Sequence, residues 1–350
     1  MSDRVRIAFF DTKPYDRDFF DRANKQYHFD IRYFSPRLSD ETVPLASGFD
    51  AVCVFVNDDV SASVVQQLYE NGVKMVALRS AGYNNVDLKA VLEKLHVVRV
   101  PAYSPHAVAE HTLALILGLN RKTHKAYART REGNFSINGL MGFDLNGKTA
   151  GIIGTGKIGR EVIKILRGLS MEVLAYDVYP NRQAEEELGF RYTDLDELYS
   201  SSDIVSLHCP LTPENVYMIN RQSIGRMKKG VVVINTGRGK LINTRDLIHG
   251  LKTGQIGGAG LDVYEEEDEY FFEDLSGTIL TDDVLARLLT FPNVIITSHQ
   301  AFFTREALNA IASTTLENIR LYFSEEKLPN EICYKCTEGE CPRNTTGRCF

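Results

Sequence analysis

Three residues, each beyond an apolar run of strand length, have side chains that could work together on a small acid. Arg238 follows Val231–Asn235 in the turn Thr236-Gly237-Arg238-Gly239, and His299 follows Asn293–Thr297 in Ser298-His299-Gln300. Glu267 lies in the acidic run Glu265–Glu269, beyond a Gln255–Val263 strand pattern that includes Asp262. Arginine offers a planar, bidentate fork to a carboxylate. Histidine titrates near neutrality and can give or take a proton in either direction of a reaction. A carboxylate beside it favours the protonated ring. Such a set suits hydride exchange at C2 of a hydroxy or keto acid, provided a hydride carrier binds beside it. Taken singly, each residue has an ordinary reading: a satisfied or surface histidine, a solvent-facing arginine, a solvated acidic loop.

The carrier's site is written in Lys148–Asp177. Thr149–Ile153 is a strand-length apolar run, and Gly154-Thr155-Gly156-Lys157-Ile158-Gly159 follows as G-x-G-x-x-G. A helical pattern places Ile158, Val162, Ile165, Leu166 and Leu169 on one face, and Met171–Tyr176 is a second strand ending in Asp177. Strand, glycine turn, helix, strand and an acid about 20 residues on form the dinucleotide fingerprint. Gly154 permits the tight turn, Gly156 lets a pyrophosphate approach the backbone, and Gly159 lets helix and strand pack closely. Free N–H groups and the helix dipole favour the phosphate charge. Asp177 can accept from both ribose hydroxyls and would repel a 2′-phosphate, and Val178 supplies no cation, which favours NAD over NADP.

Other elements must carry these residues. Before the fingerprint, strands are expected at Val5–Asp11, Tyr27–Phe34, Phe49–Asn57, Val73–Ser80 and Val97–Pro101, with helices at Asp16–Asn24, Ser61–Glu70 and Leu88–Leu95. This alternation implies right-handed βαβ units and a parallel sheet without a cofactor loop. Pro105–Arg131 reads as one long helix, apolar nearly all round in its first half, joining two domains. After Asp177 the strand-and-helix rhythm continues through Ser202–Leu207, which ends at His208-Cys209-Pro210. Ligands of open α/β sheets bind beyond the carboxyl ends of strands, where these polar groups collect. Thr304–Phe323 is a helix that could return the chain to the first domain.

The chain resembles the D-isomer-specific 2-hydroxyacid dehydrogenase family, and within it the fermentative D-lactate dehydrogenases. The resemblance rests on Leu78–Asp87, Val100–Pro105, the glycine loop, His208–Thr212, Asn235–Gly239, Leu261–Glu267 and Ser298–Phe303, in family order. It implies an α/β fold of two Rossmann-like domains. A flavodoxin-like substrate domain would span residues 1–101 and 300–332, an inserted NAD-binding Rossmann domain 102–299, and a cysteine-rich tail 333–350. It implies Arg238 as carboxylate clamp, His299 as acid/base and Glu267 as its partner, since the family's glutamate stands five residues after the strand-end Asp262. Cofactor contacts would come from Gly154, Thr155, Gly156, Lys157, Ile158, Gly159, Asp177, His208, Cys209, Pro210, Thr236, Gly237, Arg238 and Asp262. Substrate contacts would come from Arg79, Ala81, Gly82, Tyr103, Arg238, His299 and Phe302. The implied reaction is reduction of pyruvate to D-lactate with NADH, in a homodimer or a tetramer of dimers. The alternatives are another small 2-keto acid, glycerate or a bulkier one, and an NAD-sensing corepressor on the same fold.

Composition sets outer bounds. The 350 residues, 43% hydrophobic, suffice for two domains, and a net charge of −6 speaks against nucleic acid as partner. No apolar run reaches transmembrane length and Met1–Val5 carries no signal peptide, so a cytoplasmic protein without membrane contact is expected. The chain departs from the family pattern beyond Asn330, where Cys333, Cys336, Cys341 and Cys349 stand as C-x2-C-x4-C-x7-C. Three readings apply to it: an unstructured tail, a metal site, or a redox pair at Cys333/Cys336.

Overall fold

The computed structural model describes residues 4–267, 270–338 and 341–349. The chain divides into one unit of residues 1–104 and 304–350 and a second of residues 105–303. The divisions fall a few residues later than 101 and 299, and residues 333–350 belong to the first unit.

In the first unit the strands are β1 (Arg6–Phe9), β2 (Asp30–Tyr33), β3 (Ala51–Val54), β4 (Met75–Leu78) and β5 (His96–Val98). Helices α1 (Pro14–Asn24), α2 (Ala62–Glu70) and α3 (Leu88–Val91) connect them. Every residue of β3 and β4 is buried, as befits central parallel strands covered on both faces. The strand order β5-β4-β3-β1-β2 is that of a flavodoxin-like sheet. All these pairings are parallel.

The second unit opens with α4 (Pro105–Arg121) and α5 (Thr123–Arg131). The single helix expected over Pro105–Arg131 is broken at Lys122, whose backbone is left-handed at φ 50°. A distant segment explains the break. The Asn120 side chain both accepts from and donates to the Phe143 backbone, and Lys122 Nζ donates to the Gly139 and Met141 carbonyls. The sheet is built from β6 (Thr149–Ile153), β7 (Glu172–Tyr176), β8 (Arg191–Tyr192), β9 (Ile204–Leu207), β10 (Val231–Asn235), β11 (Ile256–Leu261) and β12 (Val294–Ile296). Between them run α6 (Lys157–Gly168), α7 (Arg182–Leu188), α8 (Leu195–Ser201), α9 (Arg221–Arg226), α10 (Thr244–Thr253) and α11 (Asp283–Leu289). The order β8-β7-β6-β9-β10-β11-β12 is the Rossmann order with one added strand. It reverses between β6 and β9, so the glycine loop and the His208 turn lie side by side at the switch point. Helix α4 packs on α6, β10 and β11 of this unit.

Helix α12 (Arg305–Phe323) belongs to the first unit and packs on α1 and β4. The Thr304 side chain caps it by accepting the Ala307 N–H. Leu308, Ile311, Ala312, Leu316 and Ile319 recur at helical spacing and are buried. The chain then forms β13 (Glu331–Ile332), antiparallel to β5, and two short helices, α13 (Tyr334–Glu338) and α14 (Arg343–Thr346). Among the described residues no helix is long and apolar enough to cross a membrane.

Candidate active site

The glycine loop has the shape its spacing requires. Gly154 lies at φ 97°, and a Cβ there would stand 2.5 Å from the Cys209 nitrogen. A Cβ on Gly159 would fall 2.0 Å from the Gly154 carbonyl oxygen, so this side of α6 is pressed against the turn. The close approach sets the rotation of the helix: Gly159, Val162, Ile163 and Leu166 are buried, whereas Leu169, expected inward, is exposed. Gly156 differs from both. A Cβ there would meet nothing within 4 Å, so the protein's own packing does not demand a glycine. Open space over the first N–H groups of a helix fits the approach of a pyrophosphate. Lys157 is exposed and Ile158 half-buried beside it. Asp177 accepts from the Thr155 N–H at 2.6 Å and the Thr155 hydroxyl at 2.9 Å, tying the acid to the loop.

The imidazole and its carboxylate meet. His299 Nδ1 lies 2.8 Å from Glu267 Oε1, while Glu267 Oε2 accepts the Tyr264 N–H at 2.9 Å. A carboxylate only accepts here, which places the proton on Nδ1 and turns Nε2 outward. No described residue partners Nε2. The backbone of His299 is left-handed at φ 52°, a conformation costing an ordinary residue roughly 1 kcal/mol or more. Asp262 holds it there. This fully buried carboxylate accepts the Gln300 and Ala301 N–H groups, each at 2.9 Å, and the Thr297 hydroxyl at 2.5 Å. Its backbone carbonyl accepts the His299 N–H at 2.7 Å. Both Asp262 side-chain oxygens thus act on the position of the imidazole. His111 Nε2 completes the cluster, 3.0 Å from the Thr297 hydroxyl and 3.4 Å from Asp262. Phe272 lies with its ring centre 5.9 Å from that of His299. His111, Thr297 and Phe272 were not singled out from the sequence; the trace that could have flagged His111 is a polar residue within the apolar half of α4. Asp268 and Glu269 of the acidic run lie outside the described residues.

Arg238 stands on a turn fixed by Asn235, which accepts the Gly237 N–H and donates to the Arg238 carbonyl. A Cβ on Gly239 would lie 2.0 Å from the Tyr264 carbonyl oxygen, so this turn packs against the segment that leads to Glu267. The guanidinium is half-buried and bonds only the neighbouring Gly237 carbonyl, at 2.7 Å; no described carboxylate pairs with it. Thr236 is buried, its hydroxyl 3.0 Å from that of Thr112. Phe302 is buried against Phe303.

The first unit holds its own candidates apart. Arg79, expected as a substrate contact, is buried within the first unit. Its side chain is 2% exposed, 3.6 Å from Asp16, donates to the Asp11 carbonyl and lies over Phe9 and Phe55. Its Nη1 is buried and has no hydrogen-bond partner among the described residues. In the loop that follows, no described acceptor takes the Ala81 or Gly82 N–H. The Ala81 carbonyl is fixed by Arg99 Nη1 at 2.8 Å. Tyr103 is half-buried.

Two residues facing the glycine turn are kept uncharged. Burial lowers the His208 ring to about 4, and its Nε2 lies 2.8 Å from the Ser206 hydroxyl. Burial likewise pushes the Cys209 thiol up to about 11. Pro210 beside them is exposed. The histidine has a consequence for stability. Unfolded, it takes up a proton near pH 6.5; folded, it does so only near 4. The unfolded state therefore binds more protons between these values, and stability falls as pH drops through that window. At pH 5 the loss is about 2 kcal/mol. Urea unfolding at pH 7 and pH 5 should show it in the wild type and show much less in His208→Gln; an equal acid loss in both would assign it to other groups.

Comparison with known proteins follows from this geometry. Residues 113–301 match the family described as D-isomer specific 2-hydroxyacid dehydrogenase, NAD binding domain. The D-lactate dehydrogenase of Escherichia coli is 49% identical over 329 residues, spanning 94% of this chain and 100% of that protein. Its apo-structure superposes with a TM-score of 0.86 over 93% of this chain and 99% of its own. A structure described as the pyruvate reductase of Chlamydomonas reinhardtii gives a TM-score of 0.89 at 45% identity, over 93% of this chain and 98% of its own.

Proposed function

Because the chain belongs to the D-isomer specific 2-hydroxyacid dehydrogenase family, with NAD as its cofactor, we propose that it reduces pyruvate to D-lactate. The observation that carries the proposal is the His299–Glu267 pair at the strand ends of an NAD-binding unit, with an uncompensated arginine on an adjoining turn.

When bound, NADH supplies the hydride that C2 of the keto acid accepts. The residues that would hold it are the 154–159 loop, Asp177, the His208–Pro210 turn and the turn Thr236–Gly237. Everything else falls to side chains. Arg238, lacking an internal carboxylate, offers its fork to the substrate carboxylate and stabilises charge growing on the C2 oxygen. His299 donates from Nε2 to that oxygen while Nδ1 stays on Glu267, which holds the ring in place. In the reverse direction the same nitrogen takes the proton from the hydroxy acid. Asp262 fixes the loop so that the imidazole need not reorganise during transfer. Phe302 and Phe272 provide apolar walls that suit a short side chain. In the first unit, the Ala81 and Gly82 N–H groups are candidates for an anionic group. A homodimer in the cytoplasm completes the reading.

Initial rates with NADH across pyruvate, hydroxypyruvate, 2-ketobutyrate and 2-ketoisocaproate test it. Pyruvate is expected to give the highest kcat/KM, by about tenfold over the branched acid, a difference within reach of a few methylenes in an apolar pocket. A preference for 2-ketoisocaproate or hydroxypyruvate would reassign the substrate. No turnover of any acid would favour an NAD sensor.

A further inference from the structure

The tail after Asn330 takes no part in the dehydrogenase reading, yet it is ordered around its cysteines. The sulfurs of Cys333, Cys336, Cys341 and Cys349 all lie within 4.8 Å of one another. Four of the separations are 3.5 Å (Cys333–Cys336), 3.7 Å (Cys333–Cys341), 3.6 Å (Cys336–Cys349) and 3.4 Å (Cys341–Cys349). Four thiolates about 2.3 Å from a central zinc ion, at tetrahedral angles, stand about 3.8 Å apart. The cluster nearly has those dimensions already. A disulfide requires its sulfurs at about 2.05 Å, and all four cysteines are unbridged. An iron–sulfur cube would hold each thiolate on a separate iron and spread the sulfurs well beyond this group.

From this geometry we infer that Cys333, Cys336, Cys341 and Cys349 form a structural zinc site that clamps the C-terminal segment onto the sheet of the first unit. Zinc binding releases the thiol protons to solvent and involves no change of oxidation state. With all four positions filled by protein, the ion has no place for water or substrate, which makes the site structural and not catalytic.

The surroundings are built to hold the clamp. Cys333 and Cys349 are each 1% exposed. Glu331, fully buried, accepts the Cys349 N–H at 2.6 Å through Oε2 and lies 2.5 Å from His96 Nδ1 through Oε1. One carboxylate therefore joins the last ligand to β5. Arg343 donates to the Glu331 carbonyl. Arg348 donates to the Tyr322 carbonyl at 3.0 Å and lies over the Tyr322 ring, fastening the loop to the end of α12. The connection continues inward: the Arg99 N–H donates to the Asn330 carbonyl, and the Arg99 side chain fixes the Ala81 carbonyl. The clamp thus braces the strand beside the Ser80–Gly82 loop.

Metal analysis of the purified full-length protein, prepared without added chelator, tests the proposal. The wild type should carry about one zinc per chain, and Cys336→Ser/Cys341→Ser less than about a tenth of that. Chelation of the wild type should lower its thermal midpoint by about 5 °C or more, and zinc should restore it. NADH affinity, a property of the second unit, should change less than about threefold in both. Because the wild-type stoichiometry is read independently, misfolding of the variant does not blunt the test. Cobalt(II) exchanged into the wild type should give the intense visible absorption of a tetrahedral thiolate complex. Four thiols titrating freely in metal-free native protein, a disulfide among the four cysteines, or stoichiometric iron in place of zinc would each overturn the assignment.

Discussion

Replacing His299 by glutamine lowers the turnover of pyruvate by about 100- to 10,000-fold while leaving NADH affinity within a few-fold. Glutamine is close in size and keeps polar contact with Glu267, but it cannot exchange a proton near neutral pH. The two readouts separate because the ring touches Glu267 and Phe272 and not the 154–159 loop. Stopped-flow reduction of pyruvate gives the first quantity and calorimetric titration with NADH the second. Turnover surviving within a few-fold would remove His299 from the proton step. Glu267→Gln supplies the matching control. Its single amide oxygen can accept from Nδ1 or from the Tyr264 N–H but not from both, and the NH2 group faces the other donor. Turnover of pyruvate should then fall by about tenfold or more with NADH affinity unchanged, and turnover kept within about twofold would remove Glu267 from the support of His299.

Arg238→Gln should reduce kcat/KM for pyruvate on the order of 100- to 1,000-fold, through both a higher KM and a lower kcat. The guanidinium has no carboxylate of the protein to lose, so the thermal midpoint should move by no more than about 2 °C. Arg238→Lys restores the charge without the planar fork and should recover only part of the loss. Steady-state kinetics on the three proteins, with Tm measured alongside, decides the matter. A KM unchanged in Arg238→Gln would place the carboxylate clamp elsewhere.

The glycine loop was legible in advance because its meaning is local: a turn, a helix start and an acid at fixed spacing in one stretch of chain. The positions of Arg238 and His299 were legible as strand ends for the same reason. The pairing of Glu267 with His299 came only from the family resemblance, not from any local pattern. The Asp262 clamp on a left-handed His299 and the His111–Thr297 contact were not legible: both link residues far apart in sequence, and no periodicity records them. Arg79, a substrate contact only by resemblance, lies buried beside Asp16, a neighbour that no local pattern records. The break at Lys122 escaped because it depends on a loop near Phe143. In the tail, cysteine spacing alone left three readings open; the zinc proposal rests on the gathering of the sulfurs into one cluster, which spacing does not record.

The interruption of the first unit by residues 105–303 bears on how a ribosome makes this protein. Translation delivers β1–β5 first, but α12, which covers α1 and β4, emerges only after the entire second unit. The early strands must wait with apolar surface uncovered, while the continuous second unit can close as soon as it leaves the exit tunnel. Nascent chains stalled at about residue 335, with roughly the last thirty residues still inside the tunnel, should therefore hold a formed nucleotide-binding half and an unfinished, chaperone-dependent one.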